Sequence, residues 1–175
     1  MASPELKKPG FSVNIKKILV PVDFSVQSER AIVYAGSLAR MVNAKVLVLH
    51  VVEWPAYWVE TSFFPPGFRS KDPFMDWNQT LRERVETEVQ GLNNNGINAE
   101  GHVLTGEPFK EIVKFVQENK VDMVVMGTHG RKGFAHAFMG STAERVIERV
   151  SCPVITVKAE KALRLAPERG KKGKA

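Results

Sequence analysis

Three glycines and a serine at a defined spacing are the feature of this sequence that most clearly suggests chemistry. Gly127 and Gly130 follow an apolar run, and Gly140 and Ser141 stand just before a helical pattern. Glycine lets a backbone approach a ligand closely, and a helix start offers backbone N–H groups and the positive end of a dipole. The spacing G-x2-G-x9-G-[ST] therefore predicts a phosphate-binding loop. The alternative is a loop whose glycines serve only tight turns.

Neighbouring residues extend this predicted phosphate site. The N–H groups at the start of the following helix would face the phosphates, namely those of Ser141, Thr142 and Ala143. Arg131 and Lys132 could add positive charge from the loop. Ser141 and Glu144 also match a capping box. The Ser141 hydroxyl would then serve the helix or a phosphate, but not both equally well.

Other motifs for phosphate, catalysis or metal are missing from the sequence. The sixth position counted from Gly127 is Lys132, so the loop is no G-x-x-x-x-G-K-[ST] motif, and no G-x-G-x-x-G follows the first apolar run. His129 and His136 lie in the loop without a neighbouring carboxylate or nucleophile. Cys152 and four scattered histidines lack metal-ligand spacing. We therefore assign no catalytic residue and no metal site, although a nucleotide could carry magnesium with it.

Five apolar runs alternate with helical patterns along the chain. The runs are residues 16–22, 44–52, 97–104, 121–126 and 153–157. This alternation predicts an α/β fold with a five-stranded parallel sheet and helices on both faces, which is a Rossmann-like architecture. The expected strand order is 3-2-1-4-5, with right-handed crossovers.

Ligands of such sheets lie at the carboxyl ends of the strands, where the strand order reverses. Here the reversal falls between the first and fourth strands, which end near Asp23 and Gly127. The Asp23 carboxylate can accept a hydrogen bond from an adenine amino group or a ribose hydroxyl. The sequence thus predicts one crevice that holds both ends of a nucleotide.

Charge and composition narrow the class of protein. The formal net charge is +6, and most of it lies in the last residues, which carry seven lysines or arginines from Lys158 onward. A basic tail can bind RNA, DNA or anionic lipid, but we favour a solvated, flexible end. The single cysteine, the lack of a signal peptide and the lack of a long apolar span predict a cytoplasmic protein without a membrane segment.

The stretch that begins at Glu53 and ends at Trp77 is rich in aromatic residues and proline. Long aromatic loops usually have a function or cover another part of the protein. We favour packing against the body or a partner subunit over direct contact with a ligand. His50, in the preceding strand, is interpreted as a hydrogen-bonded core residue.

With these motifs together, the chain resembles the universal stress protein family over residues 16–158. The matching stretches are LVPVDFS, VLHVVE and GTHGRKGFAHAFMGSTAERVIERVSCPVITV. The predicted domains are therefore an N-terminal extension (1–15), a single universal-stress-protein domain (16–158) and a basic tail (159–175). The intact glycine motif indicates the branch of the family that binds ATP.

The resemblance also implies a site and an assembly. Adenine would lie near Pro21, Asp23 and Val51, and ribose and phosphates would lie along the loop as far as Gly133 and against the helix start at Ser141. Homodimers would pair the last strand, which runs from Pro153 to Val157.

Three functions follow as hypotheses. The first is an ATP-binding stress-response regulator that acts as a nucleotide-dependent dimeric module on a protein partner not identified by the sequence. The second is an enzyme with slow ATP hydrolysis or autophosphorylation. The third is a dimeric interaction protein that binds no nucleotide.

Overall fold

A computed structural model describes residues 14–53, 73–128 and 139–158 of the 175-residue chain, with residues 73–78 described by their backbone alone. The described elements are β1 (Lys17–Val22), α1 (Val26–Val42), β2 (Lys45–Val52), α2 (Pro73–Asn94), β3 (Ala99–Thr105), α3 (Pro108–Asn119), β4 (Met123–Gly127), α4 (Ser141–Arg149) and β5 (Val154–Val157). The predicted N-terminal extension up to residue 13, the basic tail and most of the aromatic stretch lie outside the described residues. Residues 73–77 of that stretch belong to α2.

The five strands form one parallel sheet in the order β3-β2-β1-β4-β5, which confirms the predicted topology. β1 and β2 lie inside the sheet and read as nearly continuous apolar runs. Such runs suit strands that are buried on both faces. The more polar β3 lies at one edge, as its sequence predicted, and β5 lies at the other.

Alternate side chains of the central strands enter two separate cores. Val46 and Val48 of β2 pack in the core that α1 and α2 cover. Leu47 and Leu49 of the same strand pack in the core that α3 and α4 cover. The period of two therefore divides one strand between two helical layers, and the predicted helices on both faces are confirmed.

Helix α1 begins and ends at residues whose chemistry explains the boundaries. Ser25 is the N-cap, and its side chain accepts a hydrogen bond from the Ser28 N–H at 3.3 Å. Asn43 ends the helix in the left-handed conformation at φ 55°. This fixed start matters for the site, because Ser25 lies two residues after Asp23.

Two helix-face details differ from a simple periodic pattern. Val42 at the end of α1 is 44% exposed, and Ile147 in α4 is 39% exposed. Ala39 in α1 and Ala143 in α4 are buried in the core instead. Among the described residues, no helix is long and apolar enough to cross a lipid bilayer.

Candidate functional site

The sheet opens where the strand order reverses. β1 and β4 are in register only at Ile18↔Met123 and Leu19↔Val124, although both strands continue beyond these pairs. β1 stays in register with β2 as far as Val22↔His50. Pro21 lies in the part of β1 that has no register partner in β4, and proline has no N–H to donate to a ladder. The crevice predicted between the first and fourth strands is therefore a gap in strand pairing.

Asp23 lies directly after β1 at the mouth of this gap. Its Oδ1 accepts hydrogen bonds from the Ser25 N–H at 3.1 Å and from the Ser25 hydroxyl at 2.6 Å. The carboxylate is thus tied to the residue that caps α1. Val51 lies one position beyond the Val22↔His50 pair in β2, which places it beside Asp23 at the same edge.

Gly127 ends β4 on the other side of the gap, and its missing side chain has a structural cause. A Cβ atom at this position would lie 2.9 Å from the Gln27 Cβ and 3.3 Å from the Gln27 carbonyl carbon. Both distances are shorter than an ordinary van der Waals contact, so Gly127 allows the first turn of α1 to approach β4. The lack of a side chain at Gly127 is therefore needed for the close packing of α1 on β4.

Thr128 and Gly140 close the loop that follows β4. The Gly140 N–H donates to the Thr128 carbonyl oxygen at 2.7 Å, and the Thr128 N–H donates to the Val157 carbonyl oxygen at 3.0 Å. Thr128 is 1% exposed. The loop therefore leaves and re-enters the body at one point, so that α4 begins beside the tip of β4. The glycine motif does not include Thr128. The position of Thr128 next to Gly127 is the one sequence signal that could have indicated its part in closing the loop.

The capping box predicted for α4 is wrong. The N-cap is Gly140, with φ −76° and ψ 148°, and in the described part of the chain no side-chain hydrogen bond caps the helix. Ser141 is already the first helical residue, so its hydroxyl is one position too late to accept from the N–H of the third helical residue. The N–H groups of Ser141, Thr142 and Ala143 belong to the first turn, which has no partners within its own helix.

Packing between α3 and α4 fixes the direction of that first turn. The Arg145 guanidinium donates to Glu107 Oε1 at 2.8 Å and lies 3.9 Å from the centre of the Phe109 ring. Lys110 forms an ion pair with the other Glu107 oxygen at 2.8 Å. The hydrogen bond and the charge of Lys110, followed by the hydrogen bond and the charge of Arg145, lower the pKa of the Glu107 carboxyl. Ala143 and Val146 anchor the same helix in the core.

The structure therefore describes eight of the predicted site residues. They lie at or beside the carboxyl ends of the strands. They are Pro21, Asp23, Val51, Gly127, Gly140, Ser141, Thr142 and Ala143. The other four lie outside the described residues, namely Gly130, Arg131, Lys132 and Gly133. His129 and His136 lie there as well.

Two other kinds of chemistry would need a cluster of metal ligands or a reactive thiol at Cys152. The described residues contain no group of three or more histidine, cysteine or acidic side chains that could hold a metal ion. Cys152 packs at the edge of the core beneath α3 and α4, and partial burial raises the pKa of its thiol. A raised pKa disfavours the reactive thiolate, which favours a packing role for Cys152.

Comparison with known proteins shows the family. The model of the universal stress protein family matches residues 14–158, so the chain belongs to the universal stress protein family. Universal stress protein MJ0531 of Methanocaldococcus jannaschii is 31% identical over 150 residues, which cover 83% of this chain and 84% of the relative.

Solved structures share the fold as well. The structure of protein MJ0577, also from Methanocaldococcus jannaschii, matches with a TM-score of 0.72 and 27% identity over 86% of this chain and all of the other. A universal stress protein from Archaeoglobus fulgidus, solved in complex with dAMP, matches with a TM-score of 0.57 and 27% identity over 84% of this chain and all of the other.

The corrected cap of α4 leads to a first prediction, which compares two serines. Ser25→Ala removes a hydroxyl that caps α1 and should cost about 1 kcal/mol of stability. Ser141→Ala removes a hydroxyl that caps nothing and should change stability by less than about 0.5 kcal/mol. Urea unfolding of both variants and the wild type measures the difference. An equal loss of stability in the two variants would show that the Ser141 hydroxyl does cap α4.

The contact between Gly127 and α1 gives a second prediction. Gly127→Ala should destabilise the fold by about 1–3 kcal/mol, because the added Cβ meets backbone as well as side chain of Gln27. Gly91→Ala is the matched control, since a Cβ there meets nothing within 4 Å in an exposed stretch of α2. That change should stabilise by about 0.5–1 kcal/mol. Thermal unfolding that ranks Gly127→Ala equal to or above Gly91→Ala contradicts this packing role.

Proposed function

We propose that this protein binds ATP in the crevice between β1 and β4 and acts as a nucleotide-dependent regulatory module. The observation that carries the proposal is the position of α4. The Gly140–Thr128 hydrogen bond sets the first turn of α4 beside the tip of β4, and among the described residues no side chain caps that turn. Backbone N–H groups and the positive helix end at one point favour an anionic ligand.

The nucleoside would occupy the β1 side of the same crevice. Asp23 offers a carboxylate acceptor for an adenine amino group or a ribose hydroxyl. Pro21 and Val51 lie in the adjoining strand ends and would supply apolar contacts to the base. Gly130, Arg131, Lys132 and Gly133 would complete the phosphate side from the loop between Thr128 and Gly140.

The relatives support nucleotide binding as the general activity. The universal stress protein of Archaeoglobus fulgidus that shares the fold at 27% identity was solved with dAMP. The intact G-x2-G-x9-G-[ST] spacing of this chain supports a ligand with more phosphates than dAMP, because the loop and helix start together offer many N–H donors. Magnesium would then enter as the counter-ion of the triphosphate.

Regulation is favoured over catalysis as the outcome of binding. On the β1 side of the crevice the acidic residue next to the strand end is Asp23, and Ser25 already donates two hydrogen bonds to its Oδ1. A general base for hydrolysis has to reach the attacking water directly or through one water. Slow ATP hydrolysis or autophosphorylation remains the second candidate, and phosphate release above that of a Gly130→Val control would favour it.

The edge strand β5 supports a homodimer as part of this proposal. Val154–Val157 carries no charged residue, and its side chains are half-buried. Uncharged edge strands readily pair with another chain. Pairing of the strand from Pro153 to Val157 across a two-fold axis would produce a dimer, which a protein partner would then recognise in the cytoplasm. The domain would cover 16–158, with the tail from 159 as a flexible end.

A third prediction tests ATP binding itself. Isothermal titration of the wild type with ATP should give heat at micromolar to millimolar nucleotide, and Gly130→Val and Gly140→Val should each abolish it. Gly140 has backbone angles that any residue adopts, so valine there introduces no backbone strain. The added side chain would instead exclude the phosphates from the helix start.

Gly91→Ala, on the exposed face of α2, serves as the control and should keep the affinity of the wild type. Retained ATP affinity in both valine variants would contradict the proposed site. The absence of heat in the wild type, together with purified protein that carries no nucleotide, would favour the dimeric interaction protein.

A further inference from the structure

Side chains from β2, from α2 and from the turn after β1 meet directly beside Asp23. The Phe24 ring lies 4.6 Å from the His50 ring of β2, centre to centre, with 40° between their planes. The Arg84 guanidinium of α2 lies 4.0 Å from the centre of the Phe24 ring. We call Phe24, His50 and Arg84 the Asp23 support.

His50 fixes both neighbours of Asp23. Its Nδ1 lies 2.7 Å from the Val22 carbonyl oxygen, and since a carbonyl can only accept, Nδ1 is the donor. The same imidazole contacts the ring of Phe24. His50 is only 9% exposed, so its ring is held firmly by the surrounding sheet. Asp23 therefore stands between two residues that one buried side chain positions.

Phe24 adopts a backbone conformation that a residue with a side chain avoids. Its φ is 60°, in the left-handed region that favours glycine. This turn lets the chain leave β1 and reach Ser25, which caps α1 and binds Asp23 Oδ1. A phenylalanine at this position indicates that the ring contacts offset the backbone strain.

Arg84 brings α2 into the arrangement. A cation over an aromatic ring is attracted by its electron-rich face. Arg84 also interacts with Glu88 one turn later in α2, where partial burial and the Glu29 carboxylate of α1 raise the pKa of the Glu88 carboxyl and Arg84 lowers it. The guanidinium thus joins α2 to the residue that follows Asp23.

We propose that Phe24, His50 and Arg84 position the Asp23 carboxylate for the nucleoside end of the ligand, so that the placement of α2 controls how tightly nucleoside is held. This inference rests on the proposed nucleotide function and assigns it three positioning residues. The phosphate end depends on α4 and does not involve them. A change in the Asp23 support should therefore weaken binding of the nucleoside part and leave the phosphate part intact.

Variants at Phe24 separate ring contacts from backbone strain. Phe24→Gly keeps the left-handed conformation without strain and removes the ring, so it should fold but lose ATP affinity about tenfold. Phe24→Tyr keeps the ring and should retain wild-type affinity. Arg84→Gln removes the cation and should lose about threefold, whereas Arg84→Lys should recover most of that loss. Isothermal titration with ATP gives each affinity.

Val116→Ala provides a control for general destabilisation. Val116 lies in α3 and is buried in the core on the other face of the sheet from Phe24. This variant should lower the melting temperature and keep the ATP affinity of the wild type. Affinity that falls as far in Val116→Ala as in Phe24→Gly, or that is unchanged in Phe24→Gly and Arg84→Gln, overturns the inference.

The two proposals fail in different ways. The proposed function fails when the wild type binds no ATP. The positioning role fails when the wild type binds ATP, Gly140→Val abolishes that binding, and the variants of the Asp23 support bind as the wild type does.

Discussion

The hydrogen bond between the Gly140 N–H and the Thr128 carbonyl oxygen is the interaction on which the site depends. It joins the two ends of the loop at 2.7 Å and sets the start of α4 beside the end of β4. Thr128 is itself held by β5 and buried. Without this closure, the first turn of α4 would lose its direct hydrogen-bonded link to the tip of β4.

The two sides of the gap are stabilised by different means. On the β4 side, a bare Gly127 lets α1 pack closely, and Arg145 with Glu107 and Phe109 holds α4 against α3. On the β1 side, Ser25 and His50 fix Asp23 and its neighbours. A crevice built in this way has little freedom to adjust, and preorganised groups lose less free energy on binding a ligand.

The fold could be predicted almost fully from the sequence, because apolar runs and helical periodicity are local signals and parallel topology follows from their alternation. The site was predicted less completely. The Ser141 capping box was wrong because the S-x-x-E pattern does not show that Gly140 takes the N-cap position. The packing of Gly127 on Gln27 and the contact of Arg84 with Phe24 join residues far apart in the chain. No local pattern carries such information.

The central claim is that the backbone N–H groups at the start of α4 bind the phosphates of a nucleotide. Amide chemical shifts of Ser141, Thr142 and Ala143, followed by ¹⁵N NMR during parallel titrations with ATP and adenosine, test it most directly. We expect ATP to shift these amides strongly and adenosine to leave them almost unchanged, since adenosine has no phosphate. Saturation with ATP that does not move the three amides would contradict the account.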